Sequence, residues 1–294
     1  MNQIEELSGI LAHEGAEAVG WEHGRPGGSV ARALLRPAAR RIAREFAACD
    51  EAFGSRALPD AARWILEHFS ARVEIAGLDL IPRRGPILLV ANHPGLTDAV
   101  ALIAALDRPD VRIVAADYPF LHAMSALGPR LIFLGATGAS QLGWIRAVRR
   151  DLRSEGVVLL FPAGRLEPDP AVLGPAGALL PWSESVGLIA RLAPDAHVVP
   201  AAVSGVLSAS AFAHPLTRVR RMPRDRQRVA TLLQMFDARY RGVTVHIAFG
   251  APIVGSDPTG VIPALATRMR DLMDSTAEWK PLARRALDPV TTAA

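Results

Sequence analysis

From residue 72 onward, the sequence alternates short apolar runs of strand length with longer helical segments. The strand candidates are Arg72–Ile75, Ile87–Ala91, Val111–Ala115, Leu131–Leu134, Val157–Leu160, Val198–Val203 and Val243–Phe249. The helix candidates are Thr97–Leu106, Phe120–Leu127, Ser140–Ser154, Ser183–Leu192, Gln227–Tyr240 and Gly260–Met273. Such alternation is typical of parallel strands covered by helices. The sequence therefore predicts an α/β domain with a mixed, mostly parallel central sheet.

The residues before this domain have a helical pattern. Apolar side chains form one row and arginines form another, on roughly opposite faces of a helix. The rows are Val30, Leu34, Ala38, Ile42 and Phe46, and Arg32, Arg36, Arg40 and Arg44. Pro37 interrupts the pattern, which predicts a kink or two abutting helices, and Trp21–Gly28 reads as a loop. We expect a helical extension over residues 1–70, the α/β domain over 71–275 and a tail over 276–294.

The composition excludes several classes of protein. The single cysteine, Cys49, excludes a disulfide framework, and the histidines lack the spacing of metal ligands, so no metal is expected. No apolar run reaches the ~18 residues of a membrane span, and the N-terminus carries acids where a signal peptide needs cations. These features favour a cytoplasmic chain. There is no nucleotide-binding glycine motif, and we expect no nucleic-acid partner.

The most informative segment runs from Leu88 to Asp98 and reads LLVANHPGLTD. An apolar strand ends near Asn92, a Pro-Gly turn follows, and a helix begins near Thr97. His93 and Asp98 flank this turn, which allows the carboxylate to fold back onto the imidazole. A carboxylate in that position fixes the tautomer of a histidine and stabilises its imidazolium form, as in a general base. The alternative explanation is a turn histidine beside a helix-capping aspartate.

A second segment, Gly156–Arg165, has the same organisation. Its apolar strand also ends in a turn of proline and glycine, which is followed by an arginine. In open α/β sheets, functional residues lie beyond the carboxyl ends of the strands. Two parallel strands with such turns would bring together a base and an arginine, whose guanidinium binds phosphate or carboxylate bidentately.

These two segments resemble sequence blocks of a known family. NHPGLTD resembles the His-x4-Asp block of the glycerolipid and lysophospholipid acyltransferases, the PlsC-like superfamily, and FPAGR resembles its third block, commonly FPEGTRS. Leu127–Leu134 resembles the second block and Val198–Gly205 the fourth. The resemblance covers roughly residues 72 to 250. It implies a glycerol-phosphate-acyltransferase-like fold, with residues 71–275 as the acyltransferase domain.

The resemblance also implies an O-acyltransferase that moves a fatty acyl group from a thioester to a hydroxyl of a lysolipid. The donor would be acyl-CoA or acyl-carrier protein, which is a substrate, and no bound cofactor is expected. His93 would take the proton of the acceptor hydroxyl, and Asp98 would orient His93 and stabilise its charge. The expected substrate-binding residues are Arg130, Phe161, Pro162, Gly164 and Arg165. Backbone N–H groups near the glycine turns would stabilise the oxyanion.

The third block departs from the family pattern. Ala163 stands where the family commonly has glutamate, and Arg165 lies one position early. Glu167 and Asp169 follow closely, and negative charge near Arg165 would weaken phosphate binding. A lysophosphatidate-type acceptor is the leading expectation, and a lyso-aminolipid is the alternative. A lipid- or carrier-binding module without catalysis is a further alternative, in which the histidine and aspartate would lie apart.

The segment Arg218–Arg228 contains six arginines in eleven positions. It reads either as a solvated loop that leads into a helix or as a docking surface for anionic lipid or an acidic carrier protein. A lipid product favours some contact with a membrane. We therefore expect a peripheral protein at the inner face of the membrane.

Overall fold

The computed structural model describes residues 2–18, 28–95, 97–135, 138–253, 258–277 and 285–286. The helices are α1 (Gln3–Ala18), α2 (Gly28–Ser55), α3 (Leu58–His68), α4 (Thr97–Leu106), α5 (Pro119–His122), α6 (Gly138–Arg153), α7 (Pro170–Leu173), α8 (Ser185–Leu192), α9 (Ala209–Ala213), α10 (Pro223–Phe236) and α11 (Pro258–Ala277). The strands are β1 (Arg72–Ala76), β2 (Ile87–Ala91), β3 (Val111–Ala115), β4 (Leu131–Phe133), β5 (Val157–Leu160), β6 (His197–Ser204), β7 (Thr244–Phe249) and β8 (Arg285–Ala286).

The strands form one mixed sheet in the order β4-β3-β5-β2-β6-β7-β1-β8. The five adjacent strands from β4 to β6 are parallel to one another, and β1 is parallel to β7. The antiparallel pairs are β6 with β7 and β1 with β8. The predicted α/β class with a mixed, mostly parallel sheet is confirmed.

The strand β2 lies at the centre of the sheet and is buried on both faces. Leu89 packs into the cluster that α3 and α4 build on one face. Leu88 packs into the cluster of α6, α8 and α11 on the other face. A strand covered on both faces needs apolar side chains at every position, which explains the uninterrupted apolar run of Ile87–Ala91. The same run delivers the following turn to the carboxyl edge of the sheet.

The N-terminal helices differ from expectation in one respect. Helix α2 is continuous through Pro37, so the expectation of two abutting helices is wrong. Pro37 is exposed, which lets water bind the carbonyl that loses its helical partner. Leu34, expected in the apolar row, is also exposed, whereas Ile42 is buried. Residues 21–27 of the predicted loop lie outside the described residues, as does the side chain of Arg32. The backbone of Gly28 and Arg32 is part of α2.

Two further elements shift relative to the sequence prediction. Helix α10 begins at Pro223, four residues before the predicted Gln227, because proline suits the first turn of a helix. Helix α5 is a single turn, shorter than the predicted Phe120–Leu127. In the C-terminal region, β8 pairs with β1. The predicted boundaries of the extension, domain and tail stay predictions. None of the helices in the described ranges is long and apolar enough to cross a membrane.

Candidate active site

Two turns meet at the carboxyl edge of the sheet because their strands are adjacent and parallel. Val90 of β2 lies beside Leu160 of β5. His93 follows β2 by two residues, and Phe161 follows β5 directly. The register therefore places the two predicted segments side by side, at the edge where α/β proteins carry their sites.

The His93 imidazole is held by a buried carboxylate. The Nδ1 atom of His93 lies 2.8 Å from Oδ2 of Asp98, and Asp98 is fully buried. The same oxygen accepts the Gly95 N–H at 2.9 Å, which fixes the carboxylate. Because a carboxylate accepts hydrogen bonds, the neutral imidazole carries its proton on Nδ1 and keeps the lone pair on Nε2. The His93 side chain is 28% exposed, so this basic nitrogen belongs to a ring that solvent can reach.

Phe161 and its turn support the imidazole from the second strand. The phenyl ring stacks on His93, with ring centroids 4.4 Å apart and an interplanar angle of 25°. Pro162 is buried, and its carbonyl accepts the Ser183 N–H at 3.0 Å. Gly164 has a φ of +63°, a left-handed conformation that glycine adopts at little cost. The turn thus fixes one face of the imidazole.

Glu167 is a site residue that the sequence analysis did not place at the histidine. Its Oε2 accepts the His93 N–H at 3.0 Å, and its own N–H donates to the His93 carbonyl at 2.8 Å. Its Oε1 accepts the Leu180 N–H at 2.9 Å and the Trp182 indole N–H at 3.3 Å. The side chain is fully buried, so its charge does not face solvent near Arg165. Glu167 therefore joins the two turns.

Burial and charge act in opposite directions on the two titratable groups at this junction. Burial alone would lower the pKa of His93, but the charge and hydrogen bond of Asp98, with the charge of Glu167, outweigh it and raise that pKa above its usual value. Burial raises the pKa of Glu167 to about 7, against the lowering effect of its N–H donors. A histidine with a raised pKa is a stronger base when neutral.

Three more buried polar side chains hold the turns in place. Gln227 of α10 donates from Nε2 to the carbonyls of Pro94 at 2.6 Å and Glu167 at 2.9 Å. Asn92 exchanges two hydrogen bonds with the Val203 backbone, at 2.7 and 2.8 Å. Asp169 accepts N–H groups of the loop after β6, from Gly205 at 2.9 Å and Leu207 at 2.8 Å. No pattern in the sequence links Gln227 to residues some 60 positions earlier.

The two arginines expected to bind substrate lie in different places. Arg165 is exposed in the turn after β5, close in sequence to Phe161. Arg130 directly precedes β4, and its Nη1 donates to the Pro109 carbonyl ahead of β3, so it lies at the amino edge of the sheet. The structure therefore does not bring Arg130 to His93.

The N–H groups of two glycines in these turns already have acceptors. The Gly95 N–H donates to Asp98, and the Gly164 N–H donates to the Phe161 carbonyl at 3.1 Å. Neither group is directed at a substrate in this arrangement.

Comparison with known proteins gives a family match that includes this site. The family model described as Acyltransferase matches residues 72–204. A lyso-glycine lipid O-acyltransferase of Phocaeicola vulgatus is 33% identical over 103 residues, and the protein of the same name from Bacteroides thetaiotaomicron is 30% identical over 101 residues. Each alignment covers 34% of this chain, which spans only 36% and 37% of the length of these relatives.

Among solved structures, the 1-acyl-sn-glycerophosphate (LPA) acyltransferase PlsC from Thermotoga maritima aligns over 94% of this chain and 97% of its own. The sequence identity is 15% and the TM-score is 0.45. The match to the family model includes the turns after β2 and β5, with the histidine, its buried aspartate and the carboxylate that joins them. Through residues 72–204, this chain is therefore similar to the family described as Acyltransferase.

Proposed function

We propose that this protein transfers an acyl group from a thioester to a hydroxyl of a lysolipid, with His93 as the general base. The observation that carries the proposal is the 2.8 Å contact between a reachable imidazole and a buried carboxylate, in a domain similar to the acyltransferase family. The Gly95 N–H fixes that carboxylate, so the pair is organised before any substrate binds. A binding module without catalysis would not need this organisation.

The reaction needs one proton acceptor and no covalent acyl-enzyme intermediate. The Nε2 of His93 takes the proton of the acceptor hydroxyl while the oxygen attacks the thioester carbonyl. The tetrahedral intermediate then expels the thiolate, which receives the same proton from the imidazolium. Asp98 stabilises the charge on the ring between these two transfers. The thiol of Cys49 is a poor candidate nucleophile, since burial raises its pKa to about 12.

For the acceptor, we favour a lyso-aminolipid over a lysophosphatidate. Of the two expected arginines, Arg165 lies at the turns and Arg130 does not. Fewer cations are therefore present there to bind a phosphate dianion. Both curated relatives are named for a lyso-glycine lipid. Lysophosphatidate is the second candidate, because an exposed guanidinium binds phosphate as well as carboxylate. The donor is either acyl-CoA or acyl-carrier protein, and the reaction is proposed to take place at the inner face of the membrane.

The experiment compares wild type with His93→Ala, using both thioester donors and lysolipids of differing head group. Release of thiol and the mass of the product report turnover. We expect turnover that depends on the acceptor and falls about 10³-fold or more in the variant. Turnover that survives in His93→Ala would contradict the assigned base.

His122 provides a matched control for this experiment. It also pairs with an aspartate, Asp117, and stacks on a phenylalanine, Phe133, with ring centroids 4.2 Å apart. The His122→Ala variant is expected to keep wild-type turnover. The preferred acceptor is the one with the highest kcat/KM, and a clear preference for lysophosphatidate would reverse our choice of acceptor.

A further inference from the structure

The ten residues 215–224, PLTRVRRMPR, form a surface that the reaction chemistry does not use, here named the basic loop. It contains four arginines and no acidic residue. Leu216, Val219 and Met222 are 53%, 70% and 65% exposed. They are three of the eight large apolar side chains that are exposed in the described ranges, so exposed apolar surface is concentrated here.

The exposure of these side chains is a consequence of a fixed backbone. Residues Pro215–Val219 form a 3₁₀ turn, with Thr217 buried beneath it. The Thr217 hydroxyl contacts the carbonyls of Phe212 at 2.9 Å and His214 at 2.8 Å. With this residue directed inward, its neighbours Leu216 and Arg218 are directed outward. A local cluster of exposed apolar side chains on a soluble surface is characteristic of an interaction site.

The basic loop ends beside the active-site turns. Met222 directly precedes α10, and Gln227 in the second turn of that helix donates to the Pro94 carbonyl next to His93. Five residues of helix rise about 8 Å along the axis. The loop is therefore close to the turn that carries the base.

We propose that the basic loop is a docking surface for an anionic lipid bilayer. Leu216, Val219 and Met222 would enter the boundary of the acyl region, while Arg218 and Arg221 would bind lipid phosphates at the level of the head groups. An acidic carrier protein would match the arginines alone, whereas a bilayer offers an anionic layer above an apolar one and matches both. Docking here would bring the membrane to the turn of His93, a consequence that rests on the proposed function.

The test is flotation of the full chain with vesicles of phosphatidylcholine, with and without phosphatidylglycerol, at low and high salt. One variant replaces the apolar residues (Leu216→Ser, Val219→Ser, Met222→Ser), and another replaces two cations (Arg218→Gln, Arg221→Gln). The control, Arg83→Gln with Arg84→Gln, makes the same charge change at exposed positions ahead of β2, on the amino edge. Thermal melting of each variant shows that it is folded.

We expect wild type and the control to bind phosphatidylglycerol vesicles, less tightly at high salt, and both loop variants to bind at least about tenfold more weakly. Equal binding by wild type and the loop variants would overturn the proposal, as would no binding of wild type to any vesicle. Loss of turnover with acyl-carrier protein alone, without a change in flotation, would assign the loop to the carrier instead. Flotation requires no turnover, so an inactive wild type that binds vesicles would contradict only the proposed function.

Discussion

His93 and His122 each pair with an aspartate five positions away in the sequence, and each stacks on a phenylalanine at the end of a strand. Their surroundings differ. Asp98 is fully buried and accepts a backbone N–H, whereas the side chains of Asp117 and His122 are both more than half exposed. The same residue types at the same spacing thus form one pair with a buried carboxylate and one pair that is exposed to solvent.

Under the proposed function, burial of the carboxylate is the feature that separates the His93 pair from the His122 pair. A charge pair in a site of low dielectric constant interacts far more strongly than one in water, and exposed ion pairs contribute little. The buried aspartate is also held by Gly95, so its orientation does not depend on the histidine. An exposed aspartate exchanges its partner with water. A pattern of histidine and aspartate therefore indicates a base only where the fold encloses the carboxylate.

The largest effect is expected from Asp98→Asn. The amide lacks the charge that stabilises the imidazolium, so kcat/KM should fall about 10²- to 10⁴-fold. Asp117→Asn makes the same change at the exposed pair and should leave kcat/KM within about twofold of wild type. Steady-state kinetics on both variants checks this. Equal losses in the two variants would show that burial is not what separates the pairs.

A second prediction concerns Glu167, which joins the turn of the buried pair to the turn after β5. Glu167→Ala leaves the N–H groups of His93, Leu180 and Trp182 without an acceptor, which should lower the free energy of unfolding by about 2–4 kcal/mol. Glu184→Ala, at an exposed acid, should change it by less than about 0.5 kcal/mol. Denaturant unfolding measures both.

The pH dependence of this stability has a definite sign. Burial raises the pKa of Glu167 from its ordinary 4.5 to about 7, so the folded state binds a proton more tightly than the unfolded chain does. The contribution of this group is therefore fully present below about pH 4.5 and is lost as the pH rises to about 7. The stability difference between wild type and Glu167→Gln should shift against wild type across that range. A difference that is constant with pH would show that Glu167 is ionised throughout.

A smaller effect is expected in the pH profile of the reaction. The proposed base, His93, acts in its neutral form, so kcat/KM should rise with pH. Asp98 and Glu167 both raise the pKa of His93, so this rising limb should lie at a higher pH than the usual histidine pKa. Glu167→Gln removes the minor charge contribution and should move the limb to lower pH. It also removes a group that titrates near pH 7, so the limb should become a single-proton transition. A limb that does not move would limit Glu167 to a structural role.

The sequence was enough to predict the contact between neighbouring residues of this site, but not the contacts between residues far apart in the chain. His93 and Asp98 are five residues apart, so a strand, a turn and a helix start were enough to place them together. The apolar runs of β2 and β5 were equally informative because both faces of these strands are buried. The roles of Glu167 and Gln227 depend on tertiary contacts across 74 and 133 positions, which a single sequence does not encode as a pattern. Arg130 is a different case, because the predicted strand Leu131–Leu134 already placed it ahead of β4, which in a parallel sheet is the amino edge.

The smallest effect is expected from the two stacked phenyl rings. Phe161→Leu keeps an apolar side chain but removes the flat face 4.4 Å from the His93 ring, so the imidazole gains freedom to rotate away from the acceptor. An aromatic contact of this kind is worth about 0.5–1.5 kcal/mol, which corresponds to a loss of about 2- to 12-fold in kcat. Phe133→Leu removes the equivalent ring from His122 and should leave kcat unchanged. Single-turnover kinetics on the two variants distinguishes a slower chemical step from slower product release. If the two variants behave alike, then Asp98 and Glu167 alone hold the imidazole, and the ring that stacks on His93 contributes packing rather than orientation.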